Sequence, residues 1–148
     1  MKKKVLFAIE SLAGGGAEKI LVTIVKNIDK TKFDITVLTV VKTGVYVEEV
    51  EKYCTLISML PEYEKLTNPI AKMKYKVDYK KIYKEDCAKI YKKYVKNEYD
   101  IEIAFVEGFV TKLVANSTNK YSKKYAWIHT DMIKNNHADD NYSNFEEH

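Results

Sequence analysis

The sequence predicts an α/β protein with a doubly wound, mainly parallel β-sheet. Short apolar segments alternate with amphipathic segments along most of the chain, which is the pattern of strands joined by helices. The first apolar segment runs directly into three glycines, Gly14–Gly16, that open an amphipathic segment. The chain has 148 residues, of which 46% are hydrophobic, so one domain with a substantial core is expected.

Five segments have the composition of strands. The first is apolar throughout, as in parallel strands buried on both faces, and the second is rich in β-branched residues. The third ends at Pro61, and the fourth and fifth combine β-branched and aromatic residues. The predicted strands span residues 5–9, 33–41, 54–60, 101–106 and 124–128.

The segments between these strands have helical spacing. In the longest of them, Tyr79, Ile82, Tyr83, Cys87 and Ile90 lie on one helix face and the lysines lie mostly on the other. Alternating strands and helices predict parallel pairing with right-handed crossovers. The predicted helices span residues 16–28, 46–53 and 70–97, and a further helix begins at 109–115.

The glycine turn Gly14–Gly16 is the clearest motif. Glycine lets the backbone turn tightly, and the unpaired N–H groups at a helix start favour a phosphate or another anion. A dinucleotide fingerprint requires a third glycine where this chain has Lys19, and a P-loop requires Gly-Lys-Ser/Thr where Gly16 precedes Ala17 and Glu18. The turn therefore indicates an anion site of another class, or a structural turn that lets the helix pack on the sheet.

Three segments are predicted to meet at one crevice. In doubly wound sheets the first and fourth strands commonly flank the point where strand order reverses, and ligands bind beyond the carboxyl ends there. Gly14–Gly16 follow the first strand, Glu107 and Gly108 follow the fourth, and His129 and Asp131 follow the fifth. We therefore expect these residues to face a common site.

Two of these motifs carry a family resemblance. The turn Gly14–Glu18 after an N-terminal strand, and an aromatic-apolar strand ending in His129–Asp131, resemble the N-terminal domain of GT-B glycosyltransferases. The likeness is greatest to family 4, the bacterial retaining enzymes that build capsule, exopolysaccharide and lipopolysaccharide. It covers nearly the whole chain and implies a Rossmann-like domain that binds the acceptor. Residues 1–148 are then expected to be this N-terminal domain, truncated, without the donor-binding C-terminal domain and inactive alone.

The resemblance also implies roles for individual residues. Gly14–Gly16 would lie against the donor diphosphate, His129 would face the transferred sugar as a catalytic residue, and Asp131 would orient the acceptor. Glu107 and Gly108 have no strict family counterpart and are candidates for acceptor binding. The partners implied are a nucleotide-sugar donor and a glycan or lipid-linked acceptor, and no metal or cofactor is implied.

Each of these residues also has a structural interpretation. His129 would cap a strand end, Asp131 would be a helix N-cap, and Glu107 would be a turn residue. The alternative function is a non-catalytic Rossmann-like module that recruits a partner or a membrane. A C-terminal domain with a Glu-x₇-Glu pattern in the parent gene would favour the enzyme.

The charge pattern bears on partners and location. The formal net charge is +4 and every basic residue is lysine, which disfavours a nucleic-acid partner because arginine usually reads phosphate and guanine. No segment approaches the ~20 apolar residues of a membrane span, and no signal peptide is evident, so we expect a cytoplasmic protein. The lysines of the long helix form either a solvated face or a peripheral contact with anionic lipid at the inner face of the cell membrane. These lysines are Lys80, Lys81, Lys84, Lys92 and Lys93.

Overall fold

A computed structural model describes residues 1–129, and its architecture confirms the predicted α/β fold class. The described chain alternates strands with helices in the predicted order. The strands are β1 Lys3–Ile9, β2 Phe33–Val41, β3 Thr55–Leu60, β4 Ile101–Ala104 and β5 Lys123–Ala126. The helices are α1 Gly16–Asn27, α2 Val47–Tyr53, α3 Pro69–Lys84, α4 Cys87–Tyr94 and α5 Phe109–Ala115, with a 3₁₀ turn at Tyr63–Lys65.

The five described strands form one parallel sheet in the order β3-β2-β1-β4-β5. Val5 of β1 is in register with Ile35 of β2 on one side and with Ile101 of β4 on the other. Strand order therefore reverses between β1 and β4, as predicted. This is the switch point at which open α/β sheets bind ligands, beyond the carboxyl ends of the strands.

Helices cover both faces of the sheet. Successive side chains of β1 alternate between two separate hydrophobic clusters, as the pleat of a strand requires. Phe7 packs in the cluster that contains residues of α1 and α2, and Leu6 packs in the cluster that contains Ile82 of α3, Ile90 of α4 and Leu113 of α5. The arrangement is Rossmann-like and doubly wound.

The predicted single helix over residues 70–97 is wrong, because two helices occupy this segment. Helix α3 ends at Lys84, Glu85 has extended backbone, and Asp86 has a ψ of 128°, outside the helical range. The Asp86 side chain then caps α4 by accepting a hydrogen bond from the Lys89 backbone N–H at 3.1 Å. The apolar spacing from Tyr83 to Cys87 continues across this break, so periodicity alone did not show it.

A buried carboxylate ties β4 to its neighbours. Glu102 of β4 has no exposed surface, and its oxygens accept hydrogen bonds from the hydroxyls of Tyr91, Ser117 and Ser122. The ammonium group of Lys124 lies 3.7 Å from Glu102 Oε2. These contacts fix α4 and the α5–β5 connection to β4, and they hold β5 in place on the side of the sheet that carries His129.

Candidate functional site

The glycine turn after β1 is anchored by its neighbours in the fold. The Leu12 backbone N–H donates to the Thr43 carbonyl at 3.0 Å, and the Leu12 carbonyl accepts from the Tyr46 N–H at 3.2 Å. Gly14 has a φ of +125°, which side-chain-bearing residues rarely adopt. The residues between β1 and α1 are thereby held at the carboxyl edge of the sheet.

Gly15 and Gly16 present different surfaces at the start of α1. The Glu18 side chain folds over Gly15, and a Cβ on Gly15 would therefore collide with a carboxylate oxygen of Glu18. A Cβ on Gly16 would have nothing within 4 Å. An anion that approaches this helix start therefore finds open space at Gly16 and a carboxylate at Gly15.

Gly44 is a structural glycine in the turn that follows β2. Its φ is +121°, and a Cβ there would collide with the backbone of Leu12 and Ala13. The backbone of the turn at residues 43–46 therefore packs directly against the backbone of Leu12 and Ala13. The requirement arises from a contact between segments 30 residues apart in sequence, which local sequence does not reveal.

The structure brings two of the predicted site residues into direct contact. The backbone N–H of His129 donates a short hydrogen bond to Glu107 Oε1. The imidazole packs on two aromatic rings: its centroid lies 5.3 Å from that of Phe105 and 5.8 Å from that of Trp127, with the Trp127 ring nearly parallel. Glu107 and the aromatic pair therefore fix His129 at the carboxyl edge beyond β4 and β5.

The described residues leave one side-chain atom of His129 without a hydrogen-bond partner. Its Nε2 is buried and has no hydrogen-bond partner among residues 1–129. A buried polar atom without a partner costs about 1–3 kcal/mol, and cases in native proteins are often functional. A ligand hydroxyl or phosphate oxygen that reached Nε2 would supply the missing partner.

Gly108 shapes the turn between Glu107 and α5. Its φ is +88° and it precedes the first residue of the helix, Phe109. The Gly108 carbonyl accepts the Lys112 N–H at 3.2 Å, which starts the helical hydrogen-bonding pattern. A residue with a side chain would be strained here, so Gly108 sets the direction in which Glu107 faces His129.

A further carboxylate at the same edge was not predicted. Glu10 follows β1, and its carboxyl group interacts with the Tyr83 hydroxyl of α3. Although the residue as a whole is exposed, removal of water from its carboxyl group raises the pKa of Glu10, and the Tyr83 hydrogen bond opposes this rise. Burial, followed by the nearby Glu10 charge, raises the pKa of Tyr83.

Tyr83 connects Glu10 to the rest of the edge. Its ring centroid lies 4.7 Å from that of Phe109, which follows Glu107 and Gly108. Tyr79 and Tyr75 continue the row of rings along α3, with centroid separations of 5.1 and 6.4 Å. Glu10 and Tyr83 are 73 residues apart in sequence, so only the crossing of α3 over the sheet edge brings them together.

The remaining predicted residues are exposed or lie outside the described chain. Asp131 falls outside residues 1–129. Lys80, Lys81, Lys84, Lys92 and Lys93 are all exposed, on two helices rather than one. Within residues 1–129, no helix is both long and apolar enough to cross a bilayer, and no group of His, Cys, Asp and Glu has metal-binding geometry.

A cavity of about 380 Å³ lies at the opposite, amino edge of the sheet, with Lys2, Lys4, Tyr99 and Tyr121 among its lining residues. None of the predicted site residues lines it. Ligand contacts at this cavity would contradict a site at the carboxyl edge.

No family model matches the chain, and no curated protein or solved structure is significantly similar to it.

Proposed function

We propose that this chain is the acceptor-side half of a retaining glycosyltransferase that transfers a sugar from a nucleotide-sugar donor to a glycan or lipid-linked acceptor. The observation that carries the proposal is the arrangement at the switch point. The glycine turn follows β1, Glu107 follows β4 and holds the backbone of His129 after β5, and all three segments lie at the carboxyl edge of one parallel sheet. The resemblance of the motifs to GT-B enzymes supports the same function.

In the proposed reaction the chain supplies electrostatic and positioning groups. The start of α1 at Gly16 would face the donor diphosphate, where helix N–H groups favour the charge that develops on the leaving group. His129 Nε2 would take a hydroxyl of the transferred sugar as its missing partner. Glu107, Glu10 and Asp131 are the carboxylates proposed to orient the acceptor hydroxyl.

A second candidate, a non-catalytic Rossmann-like binding module, is favoured by one specific observation. The Glu18 carboxylate already lies over Gly15, at the helix start where a diphosphate would approach. A carboxylate at the first turn of a helix stabilises the helix dipole, and it would repel a phosphate. A donor would therefore have to displace the Glu18 side chain, whereas a binding module would leave it in place.

The test is an assay of nucleotide-sugar hydrolysis and transfer by the product of the complete reading frame that encodes this chain. Wild type is compared with Gly16→Val and His129→Phe. Gly16→Val fills the open approach to α1, and His129→Phe keeps the ring packing on Phe105 and Trp127 while it removes the nitrogens. We expect both variants to lose about 100-fold or more in turnover, the usual loss when a stabilising donor is removed.

The matched control is Thr23→Val, which places the same side chain on an exposed position of α1. It should retain wild-type turnover. Hydrolysis by wild type that neither site variant reduces would contradict this site. If the wild-type product turns over none of a panel of nucleotide sugars, the enzyme proposal fails and the binding module replaces it.

A further inference from the structure

Helix α3 has an outward face that no other part of the described fold covers. Ile70, Met73 and Val77 lie on this face with exposed fractions of 78%, 69% and 47%. Their spacing places them on one side of the helix, opposite Ile82, which is completely buried against the sheet. The surface of a soluble protein rarely exposes three large apolar side chains along one side of a helix unless a partner covers them.

The charged side chains on the outward side of α3 are all lysines. Lys76, Lys80, Lys81 and Lys84 are exposed and lie on the outward side by helical spacing. The single acidic residue of α3, Asp78, lies toward the inner side. It forms an ion pair with Lys74 at 2.5 Å, so it does not neutralise the outward lysines.

An apolar stripe flanked by lysines fits some classes of binding partner better than others. A second copy of the chain would bring its own lysines against these, and like charges across an interface disfavour association. Nucleic acid would neutralise the lysines but would not bury the apolar stripe. An anionic bilayer surface satisfies both features, because apolar side chains enter the interface while lysines extend to the headgroups.

We propose that the outward face of α3 docks the protein on anionic lipid bilayers, with Ile70, Met73 and Val77 inserted and Lys76, Lys80, Lys81 and Lys84 on the headgroups. The C-terminal half of the same helix packs Tyr83 against Phe109 at the carboxyl edge of the sheet, with ring centroids 4.7 Å apart. Docking through α3 would therefore bring that edge close to the membrane surface. The proposal does not depend on the glycosyltransferase reaction.

The test is flotation of the protein with vesicles of phosphatidylcholine alone and of an equimolar mixture with phosphatidylglycerol, at low and at high salt. Wild type should float with the anionic vesicles at low salt and not with the neutral vesicles. High salt should weaken the binding, because it screens the lysines. Equal binding to both vesicle types, or no binding to either, would overturn the proposal and leave a protein partner as the occupant.

Two variants test the two halves of the face separately. Lys80→Gln/Lys84→Gln should lower partitioning about tenfold or more, since each lysine near an anionic surface contributes about a fivefold increase. Met73→Ser/Val77→Ser keeps every charge and should also lower partitioning, because binding scales with the apolar area that enters the interface. All four side chains are exposed, so circular dichroism should show unchanged folding.

The control Lys19→Gln/Lys52→Gln removes the same charge from exposed positions on α1 and α2, on the opposite face of the sheet. It should bind as wild type does. A control that weakens binding as much as Lys80→Gln/Lys84→Gln would mean attraction by net charge alone, and would overturn docking through α3. Retention of binding by Met73→Ser/Val77→Ser would overturn it equally.

Discussion

At the residue scale, the glycines of this fold have different physical tasks. Gly14, Gly44 and Gly108 have positive φ, whereas Gly15 and Gly16 begin a helix in ordinary backbone. The three consecutive glycines are conspicuous in the sequence, but the isolated Gly44 has the strictest requirement. Its absent side chain allows the 43–46 turn to touch the Leu12 backbone.

This difference predicts opposite effects for two alanine substitutions. Gly44→Ala should lower the free energy of unfolding by about 2–4 kcal/mol, because positive-φ strain adds to a clash with backbone that cannot move aside. Gly16→Ala should change it by about 0 to +1 kcal/mol, because the position is open and alanine restricts the unfolded chain. Urea denaturation measures both, and equal effects would contradict the assigned roles.

Glu10 predicts a dependence of stability on pH. Its pKa is raised in the folded state from an ordinary value of 4.5, so the folded state binds the proton more tightly than the unfolded state. Stability contributed by the protonated carboxyl is therefore present below pH 4.5 and is lost as pH rises through the folded pKa. Glu10→Gln removes this loss and keeps an oxygen that accepts from Tyr83.

Glu10→Gln should therefore be more stable than wild type at pH 7, with a difference that shrinks as the pH approaches 4. Denaturation midpoints at the two pH values, with exposed Glu98→Gln as the control, measure this effect. A stability difference that stays constant between pH 4 and pH 7 would show that ionisation of Glu10 is not its source.

At the element scale, the break between α3 and α4 depends on a cap. The Asp86 side chain satisfies the Lys89 N–H, and helices lose about 1 kcal/mol when such a cap is replaced by alanine. Asp86→Ala should therefore lower the free energy of unfolding by about 1 kcal/mol. Glu85→Ala, at the adjacent exposed residue, should change it by less than about 0.5 kcal/mol. Equal losses in the two variants would exclude capping by Asp86.

The elements also show how far the sequence predicts the fold. The order of strands and helical segments and the switch point between β1 and β4 follow from periodicity and from chain order, and the structure confirms them apart from the division of residues 70–97 into two helices. The α3–α4 break was missed because apolar spacing is continuous through residues 83–90. The limits of the fifth strand also differ from the predicted 124–128, because β5 ends at Ala126. The Trp127 N–H still donates to the Ala104 carbonyl at 2.8 Å.

The candidate site was predicted only where chain order decides position. Residues that directly follow strands, such as Glu107 and His129, must lie at the carboxyl edge of a parallel sheet. Glu10 lies there by the same rule, but its partner Tyr83 comes from a helix whose crossing direction the sequence does not encode locally. The contact between the two therefore required the structure.

At the scale of the whole molecule, the Glu102 cluster holds together the half of the sheet that presents His129. In Glu102→Leu, the Lys124 side chain, which is 14% exposed, would lose its carboxylate partner. Three hydroxyl groups would lose their hydrogen-bond acceptor as well. Breaking a buried ion pair in this way costs about 3–5 kcal/mol. We expect Glu102→Leu to lower the thermal midpoint far more than Glu98→Leu at an exposed position; similar midpoints would contradict a structural role for the cluster.

The carboxyl edge at the β1–β4 switch point is the proposed ligand site. The test is a nuclear magnetic resonance titration with nucleotide sugars of the ¹⁵N-labelled product of the complete reading frame that encodes this chain, followed residue by residue. We predict saturable shifts that include the amides of Gly14–Gly16, Glu107–Phe109 and His129, and we expect Gly16→Val to abolish them. Shifts confined to the amino-edge cavity around Lys2, Tyr99 and Tyr121, or no saturable shifts at all, would contradict it.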